Sequence, residues 1–125
     1  MKLKHIALNI QQEEELVDFY EKILGFHFIR KYELSAEFAN KLFGIDKKIN
    51  VFIYSNFTIY LELFVFPQKI NQGFAHICTE MEDRDIVADR CKKAGYPIIK
   101  IEREEKEDLL FIMDKAENKF ELKNW

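Results

Sequence analysis

The chain says nearly the same thing twice, and a repeat of this length points to a fold built from like modules. Lys4-His5-Ile6-Ala7 opens one half and Ala75-His76-Ile77-Cys78 opens the other. Each histidine is followed by a segment with helical apolar spacing that stops at a glycine. Gly25 lies 20 residues after His5, and Gly95 lies 19 residues after His76. Each half then closes on a glutamate in an apolar strand, Leu61-Glu62-Leu63 and Phe120-Glu121-Leu122.

Periodicity predicts the elements between these markers. Leu3 to Ile10 alternates as a strand, with His5, Ala7 and Asn9 on one face. Leu16, Phe19, Tyr20 and Ile23 form the apolar stripe of a helix over Glu13 to Leu24. Phe26 to Tyr32 reads as a strand. Ser35 to Phe43 reads as a short helix, N-capped by Ser35 and stopped at Gly44. Lys48 to Ser55 and Phe57 to Phe66 read as strands joined tightly at Asn56. The second half repeats the order: a strand over Phe74 to Thr79, then a helix over Asp83 to Ala94 with Asp83 as N-cap. Strands follow over Pro97 to Ile101, Leu109 to Met113 and Lys119 to Lys123, with a charged loop from Arg103 to Asp108. The expected fold class is α+β, paired β-α-β-β-β modules in one domain spanning 1–125. Module one covers 1–67, a linker covers 67–73, and module two covers 74–125.

Composition excludes several functions. With 48% apolar residues and twelve Phe, the chain can bury a core. Its net charge of −3 argues against nucleic acid as the main partner. No apolar run approaches the ~20 residues of a membrane span. The N-terminus lacks the apolar segment of a secretory signal. Cys78 and Cys91 are therefore expected to be reduced thiols of a cytoplasmic protein.

Four residues carry the chemistry. A lone histidine in a strand, His5 or His76, is ordinarily a hydrogen-bonded core residue. Glu62 shares its face with Tyr60, Phe64 and Phe66, where an unpaired carboxylate is costly unless it meets a cation or reaches water at an edge. Glu121 lies between Lys119 and Lys123, and the plain reading there is a solvated strand. Taken together they form a mixed N/O set. With two waters such a set makes an octahedral site for Ni, Co, Mn, Fe or Zn. His27 has no evident partner, Cys78 reads as a small pocket filler, and the runs Glu13-Glu14-Glu15 and Glu104 to Asp108 read as solvated faces. No phosphate-binding glycine loop and no nucleophile elbow occur.

These residues resemble the vicinal oxygen chelate (glyoxalase/bleomycin resistance/dioxygenase) superfamily over almost the whole chain. The resemblance runs through His5-Ile6-Ala7-Leu8-Asn9, Asp18-Phe19-Tyr20-Glu21-Lys22-Ile23-Leu24-Gly25-Phe26, Leu61-Glu62-Leu63 and Gly73-Phe74-Ala75-His76-Ile77. The segment Asp114 to Leu122 is similar to the family's closing motif without its proline and glycine. The resemblance implies paired β-α-β-β-β modules that cup one divalent metal held by His5, Glu62, His76 and Glu121. Glyoxalase I is the member most similar in its ligand set, which implies a lyase/isomerase that moves a proton beside a carbonyl. Glu121 and Glu62 are then the candidate bases, and Arg30, Tyr60 and Phe64 the candidate substrate contacts. The implied substrate is a small molecule, a thiol adduct of a 2-oxoaldehyde or an acyl thioester, and a homodimer is expected. Two alternatives stand beside this: an epimerase like methylmalonyl-CoA epimerase, and a metal-free binding protein like those that sequester bleomycin.

Overall fold

The computed structural model describes residues 1–69 and 73–125. The expected linker, 67–73, falls partly on residues 70–72, which lie outside the described residues.

Strands β1 (Ile6–Ile10), β2 (His27–Leu34), β3 (Ile49–Ser55) and β4 (Tyr60–Val65) form one sheet in the order β1-β4-β3-β2. Strands β5 (Ile77–Met81), β6 (Ile98–Ile101), β7 (Leu109–Met113) and β8 (Lys119–Asn124) form the other in the order β5-β8-β7-β6. The expected paired β-α-β-β-β architecture is present. In each sheet the first strand runs parallel to the last and the remaining pairs are antiparallel.

Helix α1 (Ala36–Phe43) begins as the sequence predicts. Ser35 Oγ accepts the Phe38 N–H at 3.1 Å, and Gly44 closes the helix in the left-handed region with φ 71°. Helix α2 (Arg84–Lys93) is capped by the Asp83 carboxylate, which accepts from Asp85 N and Ile86 N.

The first helical segment departs from expectation. Leu16–Glu21 winds as a π-helix, with Lys22 N donating to Val17 O and Leu24 N donating to Phe19 O. This winding buries Leu16, Phe19 and Tyr20 together. Glu15, just before the π-helix, faces inward. That residue was expected on a solvated face and is instead fully buried. Burial of a carboxylate is sustained here by hydrogen bonds. Glu15 Oε1 accepts from Lys115 N at 2.7 Å and Oε2 from Gln11 N at 3.3 Å.

The core is shared by the two halves. Phe19 meets Phe120 at 5.9 Å and Tyr96 at 5.0 Å between ring centres. Leu61 and Leu63 fill the back of the first sheet, and Leu110, Ile112 and Leu122 fill the back of the second. A buried polar cluster ties the halves together. Asp114 accepts from Tyr20 OH at 2.7 Å and from the side-chain amide of Asn118 at 2.8 Å. The same amide donates to Asn9 O at 2.6 Å, so the turn before β8 holds the backbone of β1. The residues that resembled a closing family motif therefore form a clamp between modules. A smaller cluster packs Ala39 of α1 against Ile49 and Val51 of β3.

Candidate metal centre

The strand registers place the four candidate ligands by one rule in both halves. In the first sheet Ala7 pairs with Glu62, Glu62 with Ile53, and Ile53 with Arg30. In the second, Cys78 pairs with Glu121, Glu121 with Phe111, and Phe111 with Ile99. Each histidine stands two residues before the residue that pairs with its glutamate. Both histidines were expected inside strands. Each instead stands one residue before its strand, at Ile6 and Ile77, where the side chain is freed from the pleat and leans over the neighbouring glutamate.

The result is two like pairs. His5 Nε2 lies 3.1 Å from Glu62 Oε2, and His76 Nε2 lies 3.4 Å from Glu121 Oε2. The glutamate side chains are largely covered, at 16% and 15% exposure, while the histidines are near 40%. Among the described residues, no three His, Cys, Asp or Glu side chains are grouped closely enough to hold a metal ion. The chain thus brings each histidine to its own glutamate and keeps the pairs apart.

Each pair fits a cation. Two ligands bonded at ~2.1 Å and set 90–110° apart on one metal are separated by ~3.0–3.4 Å, which matches both distances. His76 Nδ1 lies 3.0 Å from the Phe74 carbonyl. The tautomer that donates there leaves the Nε2 lone pair facing a carboxylate oxygen. Two acceptors face each other in this way only across a proton or a cation. A backbone carbonyl holding the remote ring nitrogen is also how metal-bound imidazoles are oriented.

Tyr32 completes the first pair and was not singled out by the sequence. Its hydroxyl donates to Glu62 Oε1 at 3.3 Å. Burial and the Glu62 carboxylate hold the phenol above its ordinary range, so it stays a donor. The Arg30 guanidinium lies 5.5 Å from the Tyr32 ring centre. On the second pair, Lys123 Nζ lies 3.7 Å from Glu121 Oε1, so the expected lysine neighbour is real while the carboxylate itself is covered. Cys78 is exposed beside Glu121. Partial desolvation and the Glu121 charge push its thiol up, so less of it is thiolate. His27, expected to be without a partner, packs against Phe57 with ring centres 5.3 Å apart and planes tilted by 53°.

An open groove of about 720 Å³ runs along the first pair, lined by His5, Glu62, Arg30 and Tyr60 together with Lys2 and Lys4. Phe64 faces a separate apolar pocket on the other side of Glu62. The expected substrate contacts therefore flank the carboxylate, with cations at one end and an aromatic ring at the other.

The family model for the Glyoxalase/Bleomycin resistance protein/Dioxygenase superfamily matches residues 2–122. No curated protein matches the chain. Among solved structures, the fold is similar to the fosfomycin resistance protein FosX from Listeria monocytogenes. That match has a TM-score of 0.74 at 16% identity and covers 100% of this chain and 93% of that one. It is also similar to the trypanothione-dependent glyoxalase I of Leishmania major, with a TM-score of 0.74 at 18% identity over 99% and 86% of the two chains. A variant of the Listeria FosX complexed with Mn(II) and 1S,2S-dihydroxypropylphosphonic acid matches with a TM-score of 0.71 at 17% identity, over 98% and 90%. Among the described residues, no helix is long and apolar enough to cross a membrane.

Proposed function

The chain belongs to the Glyoxalase/Bleomycin resistance protein/Dioxygenase superfamily, and from that premise we propose that it is a metal-dependent lyase/isomerase of glyoxalase I type. The substrate is the hemithioacetal of a 2-oxoaldehyde and a thiol, which the enzyme converts to the thioester in a reducing cytoplasm. The observation that carries this reading is the repeated pair, His5–Glu62 at 3.1 Å and His76–Glu121 at 3.4 Å, at cis-ligand distance in both modules.

His5, Glu62, His76 and Glu121 would hold one Ni, Co, Zn, Mn or Fe ion. When bound there, the cation supplies Lewis-acid stabilisation of negative charge on vicinal substrate oxygens. The remaining work belongs to the side chains. Glu62 or Glu121 takes the proton from the carbon beside the carbonyl and returns it to the neighbouring carbon. Tyr32 fixes one oxygen of Glu62 so that the other faces His5. Arg30, one strand beyond Ile53 in the row of Glu62, meets an anionic part of the thiol with Lys2 and Lys4. Tyr60 and Phe64 flank Glu62 on β4 and limit water around the reacting carbon.

The pairing also supports a homodimer. One pair offers two protein ligands, and a catalytic metal usually takes three or more. The His5–Glu62 pair of one protomer and the His76–Glu121 pair of its partner would make the full set.

Metal analysis and turnover test the reading together. Protein purified without a tag should carry about one divalent transition metal per chain by plasma mass spectrometry. The loaded protein should convert the methylglyoxal hemithioacetal of glutathione or bacillithiol, followed by thioester absorbance. Glu62→Gln and Glu121→Gln should each lower kcat by about 100-fold or more. A fully loaded protein inert towards both thiol adducts would overturn the assignment.

A further inference from the structure

The two modules differ at one place that bears on the site. Between β6 and β7 the chain crosses by a charged loop, residues 102–108. At the corresponding place between β2 and β3 it inserts α1, which lies over the front of the first sheet. Beneath it is a pocket of about 270 Å³. Ala39 and Phe43 of α1 form its roof, Ala7 of β1, Phe64 of β4 and Phe66 just after it form its floor, and Ile49 of β3 its end. Phe43 meets Phe64 edge-on at 5.6 Å.

This pocket is built for carbon. Among the described residues, Asn9 is the one polar side chain lining it, and its amide N–H groups are donated to Phe66 O and Gln68 O at 3.3 Å each. A lining this apolar offers too few polar partners to hold an ordered water. An apolar cavity of ~150 Å³ accepts a benzene ring, so this one takes a substituted aryl group or a medium alkyl chain. It adjoins the candidate metal centre along β1 and β4. Ala7 is the register partner of Glu62, and Phe64 stands two residues along the same face, roughly 7 Å further on.

We propose that the pocket beneath α1 is a binding subsite for an apolar aryl or C4–C8 alkyl arm of the substrate, attached within a few bonds of the oxygens that approach His5 and Glu62. This rests on the reading of that pair as metal-proximal. Methyl-substituted substrates leave most of the pocket empty, so the preferred 2-oxoaldehyde carries a larger apolar group. Ala39 sets the depth, because any larger side chain there occupies the space.

Alkyl hydroxamates present two vicinal oxygens on a chain of adjustable length, and their binding to the zinc-loaded protein can be followed by titration calorimetry. From acetohydroxamate to octanohydroxamate, the dissociation constant should fall about fourfold per added methylene and level off once the pocket is full. Ala39→Leu should flatten the series, so that short and long chains bind alike. A flat series in the unaltered protein overturns the subsite and leaves the metal reading standing. Failure of every hydroxamate to bind overturns the metal reading instead. The subsite is then judged on metal-free protein with octanoate: shifts in the methyl resonances of Ile45 and Ile49 sustain it, and unmoved resonances overturn it.

Discussion

Glu62 is held from two sides, by the Tyr32 hydroxyl on one oxygen and the His5 ring on the other. A carboxylate with one oxygen fixed presents the other in a defined direction, which is what a ligand or a proton acceptor requires. Tyr32→Phe removes that donor and little else. We expect metal affinity to fall by about tenfold or more, the range seen when a ligand's outer partner is lost, as read by competition with a chromophoric chelator. Unfolding free energy should change by no more than ~1.5 kcal/mol. Unchanged affinity would show that Glu62 is oriented by packing alone. The face of Glu62 could be read from strand alternation, because Leu61 and Leu63 had to go inward. Tyr32 could not, since its approach to Glu62 depends on β3 lying between β2 and β4, and strand order is not a local property of the chain. Glu15 was misread for a related reason. A run of three glutamates reads as solvated until a distant backbone N–H, that of Lys115, is known to point at the third.

The π-helix and the β7–β8 turn act as one element through that contact. Burial raises the carboxyl of Glu15 above its ordinary 4.5, against the backbone N–H of Lys115, which lowers it. Burial likewise raises Asp114. A carboxyl raised in the folded state binds its proton more tightly there than in the unfolded chain. Its contribution to stability is therefore complete below the unfolded value and is lost as pH rises through the folded one. Glu15→Gln stays neutral throughout and serves as the reference. On lowering pH from 7 towards 4.5, the unaltered protein should gain stability relative to this variant in urea unfolding. The opposite trend would mean that the Lys115 and Gln11 bonds outweigh burial. At this scale the helix caps were legible, because Ser35, Asp83, Gly25 and Gly95 act within a turn of their own position. The π-winding was not. An apolar stripe at 16, 19, 20 and 23 suits an α-turn equally well.

Across the whole molecule, the front faces of both sheets carry more apolar surface than one chain covers. Tyr60 and Ile29 are about half exposed in the first sheet, and Ile99 and Ile101 are 39% and 51% exposed in the second. Large exposed apolar patches mark interaction surfaces, and these adjoin the two His–Glu pairs. If a twofold partner brings its second module to the first module of this chain, every site draws one pair from each protomer. Complementation decides the point. His5→Ala and Glu121→Gln would each be inactive as homodimers. Unfolded and refolded together in equal amounts, they form heterodimers in which one site carries both substitutions and the other carries neither. Random pairing then restores about a quarter of the sites, and activity with a thiol hemithioacetal should recover to that level. If all four ligands belonged to one chain, every site in the mixture would retain a substitution and no activity would return. Mixing His5→Ala with Glu62→Gln is the internal control. Both changes lie on one half-site, so no intact site can form in any pairing across the dimer, and recovery there would refute the shared-site arrangement.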